Sequence, residues 1–170
     1  TSLMMLLDIW MAFPSLVMAI ALSAVLGPSL PNLILALALT GWVAYCRIIR
    51  GEVLSLRERE FVLAARVCGA SGFRIITRHL LPNTMNTLVV LVTLQVGYVI
   101  IVEASLSFLG AGIPPPTPAW GSMISEGREF VTSAWWVSGL PGIAILLVVL
   151  AFNLLGDWLR DTLDPKLRQL

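Results

Sequence analysis

The segment Arg57–Asn83, "REREFVLAARVCGASGFRIITRHLLPN", is the only long charged and amphipathic stretch in an otherwise apolar chain. Just before its apolar part, Ser55 stands three positions ahead of Glu58. That spacing is typical of a capping box, in which two side chains satisfy free backbone amides at a helix start. A helix is therefore predicted over about Leu56–Cys68. Gly69 follows at the position where a helix end favours the left-handed conformation.

A second short helix is predicted from about Gly72 until Pro82, which lacks an N–H and so halts or bends the helix. Spacings of three, four and seven residues place the apolar side chains of each helix on one face. Those faces consist of Phe61, Ala64, Ala65 and Cys68 in the first helix, and of Phe73, Ile76 and Leu80 in the second. The segment is expected to form two short helices joined at a glycine.

The composition indicates a membrane protein. Of the 170 residues, 58% are hydrophobic and 12% are charged, and the mean hydropathy is +0.90. Soluble domains carry about 25% charged residues, so a water-soluble fold is disfavoured. The net charge of +1 gives no support to nucleic-acid binding through a basic surface. Cys46 and Cys68 form neither a CxxC pair nor a metal-binding spacing, and we interpret them as small apolar side chains.

Four apolar runs are long enough to cross a bilayer, which requires about 20 residues each. They cover about residues 3–26, 33–50, 84–109 and 135–156. The first run contains Pro14, which a membrane helix tolerates if its neighbours satisfy the freed carbonyl. Residues 51–83 and 110–134 are loops, the second with a short helix near Trp120–Phe130. The sequence therefore predicts one all-α, polytopic domain over residues 1–170, with four transmembrane helices.

The basic residues predict the orientation of these spans. Ten of the eleven Lys and Arg residues lie in or beside residues 51–83 or in the C-terminal tail, and only Arg128 lies in residues 110–134. Lys and Arg are retained on the cytoplasmic side of membranes. We therefore expect residues 51–83 and the C-terminus to be cytoplasmic, and residues 110–134 to be external.

The chain lacks the residue patterns of common catalytic sites. No segment matches the GxxxxGK[ST] phosphate-binding loop, so any ATP that drives the protein is expected to be hydrolysed by another subunit. The single histidine, His79, has no second histidine or cysteine at ligand spacing, so no metal site is predicted. No nucleophile, base and acid form a recognisable set. We expect a non-enzymatic chain that binds no cofactor itself.

Two polar residues inside the third span are candidates for a translocation path. Glu103 is the stronger one, because a carboxylate in lipid is costly and usually faces a cavity or a partner. Counting about 1.5 Å per residue from Pro82 places it roughly 30 Å along the helix, near the outer boundary. There, water or a neighbouring helix could equally satisfy it, so path lining and interhelical packing both stay open. Gln95 is the second candidate and could also hydrogen-bond across helices.

The amphipathic segment could lie on lipid headgroups or bind a protein. A lipid-surface helix shows one broad apolar face flanked by basic residues. Here Glu58 and Glu60 interrupt the basic pattern, and Ala64 and Ala65 add little membrane affinity. We therefore favour protein docking.

At these residues the chain resembles the cytoplasmic loop of binding-protein-dependent ABC importer permeases, with the signature EAA, three residues, G, nine residues, I, one residue, LP. Two positions differ from it: Leu63 replaces the glutamate and His79 replaces the isoleucine. "RHLLPN" resembles the dipeptide, oligopeptide and nickel branch in particular. Five positions match at the right spacing: Ala64, Ala65, Gly69, Leu81 and Pro82.

The resemblance extends over nearly the whole chain, through "GWVAYCRIIRGEVLSLREREFV", "EASLSFLGAGIPPPTPAWGSMISEGR" and "LAFNLLGDWLRDTLDPKLR". These blocks look like the C-type member of the permease pair. Members usually have six spans, so this chain would hold the last four and lack the N-terminal portion. The family implies a bacterial inner-membrane subunit that works with a second permease subunit, two ATP-binding subunits that bind ATP and Mg, and an extracytoplasmic substrate-binding protein.

The family also implies that the loop carries coupling helices, which seat in a cleft of the ATPase subunit. The implied coupling residues are Glu60, Ala64, Ala65, Gly69, Ala70, Arg74, His79, Leu81 and Pro82. The external loop, with Trp120, Glu126, Arg128 and Glu129, would face the binding protein. The implied solutes are di- and oligopeptides, with nickel or another small solute as the alternative. A truncated membrane module that binds partners without transport is the alternative from another class.

Overall fold

The computed structural model describes residues 2–163, which contain helices and no strand. A π-helical turn at Ile76–Leu80 and a 3₁₀ turn at Arg128–Phe130 supplement the α-helices. The α-helices are α1 (Ser2–Met11), α2 (Ser15–Leu26), α3 (Leu30–Leu56), α4 (Glu60–Val67), α5 (Gly72–Ile75), α6 (Leu81–Phe108), α7 (Trp120–Gly127) and α8 (Trp136–Leu163). The all-α prediction is confirmed. Lys166 and Arg168, two of the basic residues used to predict orientation, lie outside the described residues.

The first predicted span consists of two helices. The chain bends by 90° between α1 and α2. Pro14 is the N-cap of α2, with a non-helical ψ of 128°. Proline has no N–H for the carbonyl four residues earlier, and its ring disfavours helical backbone at the preceding residue, Phe13. The expectation of one continuous helix through Pro14 is therefore wrong.

The predicted capping box is also wrong. α3 continues to Leu56, so Ser55 lies inside a helix, and α4 begins four residues later at Glu60. Arg59 is the N-cap of α4, and its side chain makes no capping hydrogen bond. The amides of Glu58 and Arg59 donate instead to the carbonyls of Ser55 and Leu56, at 3.3 Å and 3.1 Å. A backbone carbonyl at the end of α3 thus satisfies the Glu58 amide, which the Ser55 side chain would have served in a capping box.

The third span is part of one helical run of 37 residues, Gly72–Phe108. Pro82 does not stop it. Proline cannot donate to an earlier carbonyl, and its ring clashes with the carbonyl four residues before it in a regular α-helix. The π-helical turn directly before α6 relieves that conflict by widening the helix, and the Leu81 amide bonds to the Ile76 carbonyl five residues back. The chain therefore passes from α5 into α6 without a break.

The described residues form two compact units. The first contains residues 2–43 and 95–153, and the second contains residues 44–94 and 154–163. In the first unit, Ala19 of α2 and Leu33 of α3 pack with Val102 and Leu106 of α6, and all four are buried. The Ser23 hydroxyl donates to the carbonyl of Ala111, just beyond α6. These contacts hold the turn after α6 to α2.

The loop between α6 and α8 belongs to the first unit and makes close backbone contact with α6. α7 and the 3₁₀ turn confirm the short helix predicted near Trp120–Phe130. Gly121 lies against the backbone of Ala104 on α6, so closely that a Cβ there would overlap the Ala104 carbonyl. Glycine is needed at this position because only hydrogen fits.

Within residues 2–163, three helical segments are long and apolar enough to cross a membrane: Leu30–Leu56, Gly72–Phe108 and Trp136–Leu163. The bent pair Met4–Met11 and Ser15–Leu26 adds a fourth if it counts as one broken span. α8 extends to Leu163, beyond the end at residue 156 that the sequence predicts. The chain is a multi-pass membrane protein.

Candidate functional site

The amphipathic loop, residues 57–83, belongs to the second unit, and Gly69 ends its first helix as predicted. The φ of Gly69 is +78°, in the left-handed region where a residue without Cβ meets no steric penalty. The Ala70 amide donates to the Ala65 carbonyl at 3.0 Å, and the Gly69 amide donates to the Arg66 carbonyl at 2.9 Å. These two bonds are a Schellman motif, which satisfies the last carbonyls of a helix. The motif turns the chain out of α4 towards α5.

A small buried cluster holds the two halves of the loop together. Val62 of α4 is fully buried, and Ile75 and Leu80 are 6% and 7% exposed. Val53 and Leu56 of α3 pack against this cluster. The loop is therefore anchored to the end of α3 by apolar contacts, in addition to its covalent connection.

Other apolar side chains of the loop face outward. Val67 is 89% exposed and Phe73 is 78% exposed, while Phe61, Leu63 and Ile76 are between 41% and 54% exposed. Large exposed apolar groups in one segment are typical of sites that bind a protein or a membrane. We call these five residues the exposed apolar set. The predicted helix faces are partly wrong, because each mixed exposed side chains with partly or fully buried ones.

His79 connects α4 to the π-helical turn. Its ring and that of Phe61 lie with their centroids 6.3 Å apart, tilted by 41°. The His79 carbonyl accepts a hydrogen bond from Nδ2 of Asn83 at 2.6 Å. This side-chain donor serves a carbonyl in the region where Pro82 removes a backbone donor. His79 thus stabilises the π-helical turn in two ways, through the contact of its ring with Phe61 and through the hydrogen bond of its carbonyl with Asn83.

A comparison with protein families matches residues 1–169 to the family described as "Binding-protein-dependent transport system inner membrane component". The chain belongs to this family. A relative in Brucella suis is 50% identical over 169 residues, which are 99% of this chain and 57% of that protein. The chain therefore spans just over half the length of the curated relatives that it matches.

The names of two further relatives state the solute that each transports. The dipeptide transport system permease protein DppC of Alkalihalophilus pseudofirmus is 48% identical over 161 residues, 95% of this chain and 53% of that protein. The glutathione transport system permease protein GsiD of Escherichia coli is 48% identical over 166 residues, 98% of this chain and 55% of that protein. The family is one of transport subunits that work with other components of an ABC system.

The residues that the resemblance implies for coupling all lie on or next to the two short helices and the π-helical turn. Ala65, Ala70 and His79 are half-buried, and the others are exposed: Glu60, Ala64, Gly69, Arg74, Leu81 and Pro82. Glu60 lies in the first turn of α4, where a negative charge stabilises the helix dipole. Their coupling role stays a prediction. None of the exposed apolar set belongs to these predicted coupling residues, although Phe61, Phe73 and Ile76 lie on the apolar faces that the sequence predicts.

Glu103 and Gln95, the two residues predicted to line a translocation path, lie on α6 in the first unit. Glu103 is half-buried, and its Oε1 accepts a hydrogen bond of 2.6 Å from the Ser107 hydroxyl. The Ser107 oxygen accepts in turn from the Ile113 amide at 3.3 Å. The carboxylate therefore takes part in holding the turn after α6, which favours the packing interpretation. Gln95 is also half-buried, and its path role stays a prediction.

A cavity that the sequence did not predict lies in the second unit. Its volume is about 560 Å³. Glu52 is its notable polar residue: Oε1 accepts from the Thr87 hydroxyl at 2.7 Å, while Oε2 is buried and has no hydrogen-bond partner among the described residues. The lining residues are Glu52, Leu56, Asn83, Asn86, Thr87, Val90, Leu91, Leu94, Arg160 and Leu163. The available sequence signal was an acidic residue just after the predicted second span, which by itself does not indicate a cavity.

Proposed function

We propose that this chain is part of the permease subunit of an ATP-driven importer for di- and oligopeptides in the bacterial inner membrane. Family membership supports the transport role. The solute is supported by the names of relatives at 47% to 50% identity, which refer to peptides, dipeptides or glutathione. All of these solutes are short peptides or peptide-like molecules. The proposal therefore favours peptides over nickel.

The exposed apolar set carries the proposal that the amphipathic loop binds the ATPase subunit. An apolar side chain that is three-quarters exposed, such as Phe73, gains free energy when a partner covers it, at about 25 cal/mol per Å². The buried cluster around Val62 gives this surface a fixed shape before the partner arrives, so less conformational entropy is lost on binding. The loop would be cytoplasmic, as the basic residues predict.

The mechanism we propose is mechanical. The ATPase subunit moves the loop, and the loop passes the movement to α6, because α5, the π-helical turn and α6 form one uninterrupted helical run. Spans would then alternate between inward-open and outward-open arrangements by rigid-body movement. A second permease subunit would complete the path, and two ATP-binding subunits would supply the energy.

The other proposed partner is an extracytoplasmic substrate-binding protein, which would meet residues 110–134. The close contact of Gly121 with α6 supports this, because a loop packed on a spanning helix can pass a binding signal to that helix. Gln95 and Glu103 on the same helix remain the candidate path residues.

The coupling role is tested with the complete transporter in lipid nanodiscs. We expect Phe73→Asp and Val67→Asp to lower ATPase activity stimulated by the loaded binding protein by at least tenfold, because a charge would be buried at the interface. Phe73→Leu and Val67→Leu, which keep apolar area, should retain most of the activity. Membrane insertion should be unchanged in all four variants. Full stimulation of the aspartate variants would contradict docking through this surface.

The solute is tested by uptake into proteoliposomes that contain the complete transporter and ATP. We expect saturable uptake of a labelled dipeptide that depends on the cognate binding protein. Uptake of nickel or a nickel chelate without peptide uptake would overturn the peptide proposal and leave the family assignment intact.

A further inference from the structure

The cavity in the second unit contains an unsatisfied negative charge. Oε2 of Glu52 is buried, yet no donor among the described residues reaches it. A buried carboxylate oxygen without a partner costs at least as much as a lost hydrogen bond, and more when it is charged. Thr87 satisfies only the other oxygen. The site therefore lacks one hydrogen-bond donor, and a positively charged donor would suit it best.

A positive charge lines the same cavity. Arg160 of α8 is a lining residue, and no ion pair between it and Glu52 is present within residues 2–163. Two opposite charges in contact would neutralise each other. Because Glu52 and Arg160 form no ion pair with each other, each can bind a group of opposite charge on the same ligand. The remaining wall is mostly apolar, with Leu56, Val90, Leu91 and Leu94.

These features specify the ligand. A cavity of about 560 Å³ falls in the range of small-molecule sites, about 300–1,000 Å³. A ligand with an amino group at one end, a carboxylate at the other and apolar groups between them matches the charges and the wall. We propose that this cavity binds a short peptide with free ends, its ammonium donating to the Glu52 carboxylate and its carboxylate accepting from Arg160. The identification of the ligand as a peptide rests on the proposed function.

The site is distinct from the candidate path residues, since neither Gln95 nor Glu103 lines it. It adjoins the amphipathic loop instead. Leu56 lines the cavity and also packs against the buried cluster of Val62, Ile75 and Leu80. A peptide in the cavity would therefore contact a side chain that supports the proposed ATPase-docking surface.

The test measures binding of radiolabelled L-alanyl-L-alanine to the complete transporter in nanodiscs, without binding protein or nucleotide. We expect saturable binding that weakens roughly 10- to 100-fold when the peptide is N-acetylated or C-amidated, because each change removes one charge-assisted hydrogen bond. These two peptides require no variant protein, so the result does not depend on whether a variant folds.

Variants assign each end of the peptide. Glu52→Gln should weaken binding of the free dipeptide and have little effect on binding of the N-acetylated one. Arg160→Gln should also weaken binding of the free dipeptide, and it should have little effect on binding of the C-amidated one. Arg50→Gln on α3 and Asp161→Asn on α8 are controls, because neither residue lines the cavity. Equal affinity for free and blocked peptides, or no saturable binding, overturns the proposal.

Uptake separates this failure from a failure of the proposed function. If proteoliposomes import the dipeptide with its binding protein while the cavity fails these tests, only the cavity proposal is wrong. If no peptide is imported, the function is wrong, and the ligand assignment that rests on it is wrong too.

Discussion

Replacement of Gly69 by alanine isolates the energetic role of the turn in the amphipathic loop. At φ +78° the backbone of Gly69 is left-handed, and no atom lies within 4 Å of a Cβ built there. A side chain would therefore meet no neighbour, and the whole cost comes from its own backbone, about 1–2 kcal/mol for a residue other than glycine. We expect this cost to weaken the two hydrogen bonds of the Schellman motif, because they form only when residue 69 has this conformation.

The assay is hydrogen exchange at the Ala70 amide, which donates to the Ala65 carbonyl. A loss of about 1–2 kcal/mol raises the open population roughly 5- to 30-fold, and the exchange rate should rise by the same factor in the complete transporter. Rates are compared after correction for the changed neighbouring side chain.

Gly72→Ala is the matched control for this substitution. Gly72 lies in the same loop and also has open space around its Cβ, but it does not have a positive φ. It begins α5, where alanine is tolerated better than glycine. We expect slower or unchanged exchange in this variant. If Gly69→Ala and Gly72→Ala gave equal rates, the left-handed backbone would not be what holds the end of α4, and the argument would fail.

Three further predictions concern other parts of the chain. Val62→Ala should destabilise the loop by about 1.5–3 kcal/mol, because Val62 is fully buried, while Leu63→Ala, at a position 46% exposed, should change it little in thermal-unfolding or proteolysis assays. A membrane-impermeant maleimide should label the exposed thiol of Cys68 in inverted vesicles and not in intact spheroplasts, with Cys68→Ser as the blank; the reverse pattern would refute the cytoplasmic loop. Gly121→Ala should lower stability by about 1–3 kcal/mol through overlap with the α6 backbone, whereas Gly142→Ala, with open space around it, should not; equal melting temperatures would count against the close contact.

The length of the apolar runs was sufficient to predict three long apolar helices among the described residues, and local backbone chemistry decided the details. Three long apolar helices and the glycine turn follow from run length and from the conformational freedom of Gly69. The bend at Pro14 and the passage through Pro82 differ, although both involve proline. Pro14 is followed by a new helix whose first turn it caps, while Pro82 is accommodated by a π-helical turn. The sequence marks both prolines and does not tell these outcomes apart.

Periodicity failed within α4 because nearly every side chain there is apolar. Phe61, Val62 and Leu63 are consecutive, so no single helix face stands out by composition. Packing partners select the buried face, and those partners come from α5, the π-helical turn and α3. Val62 is buried because Ile75 and Leu80 reach it, which is tertiary information. The cavity is hidden for the same reason, since Glu52 and Arg160 lie far apart in the sequence and line one space only in the fold.

The two ends of the amphipathic loop differ in helical continuity, and this difference suggests different mechanical roles. On the entry side, α3 ends at Leu56 and three residues separate it from α4, so a force on α4 can be absorbed by backbone rotation. On the exit side, residues 72–108 are helical without interruption, and a helix transmits displacement along its axis. Movement of the exposed apolar set would therefore reach α6 more directly than α3. Since Leu56 packs against the buried cluster and also lines the cavity, the end with the helix break is also the one that a bound ligand would contact.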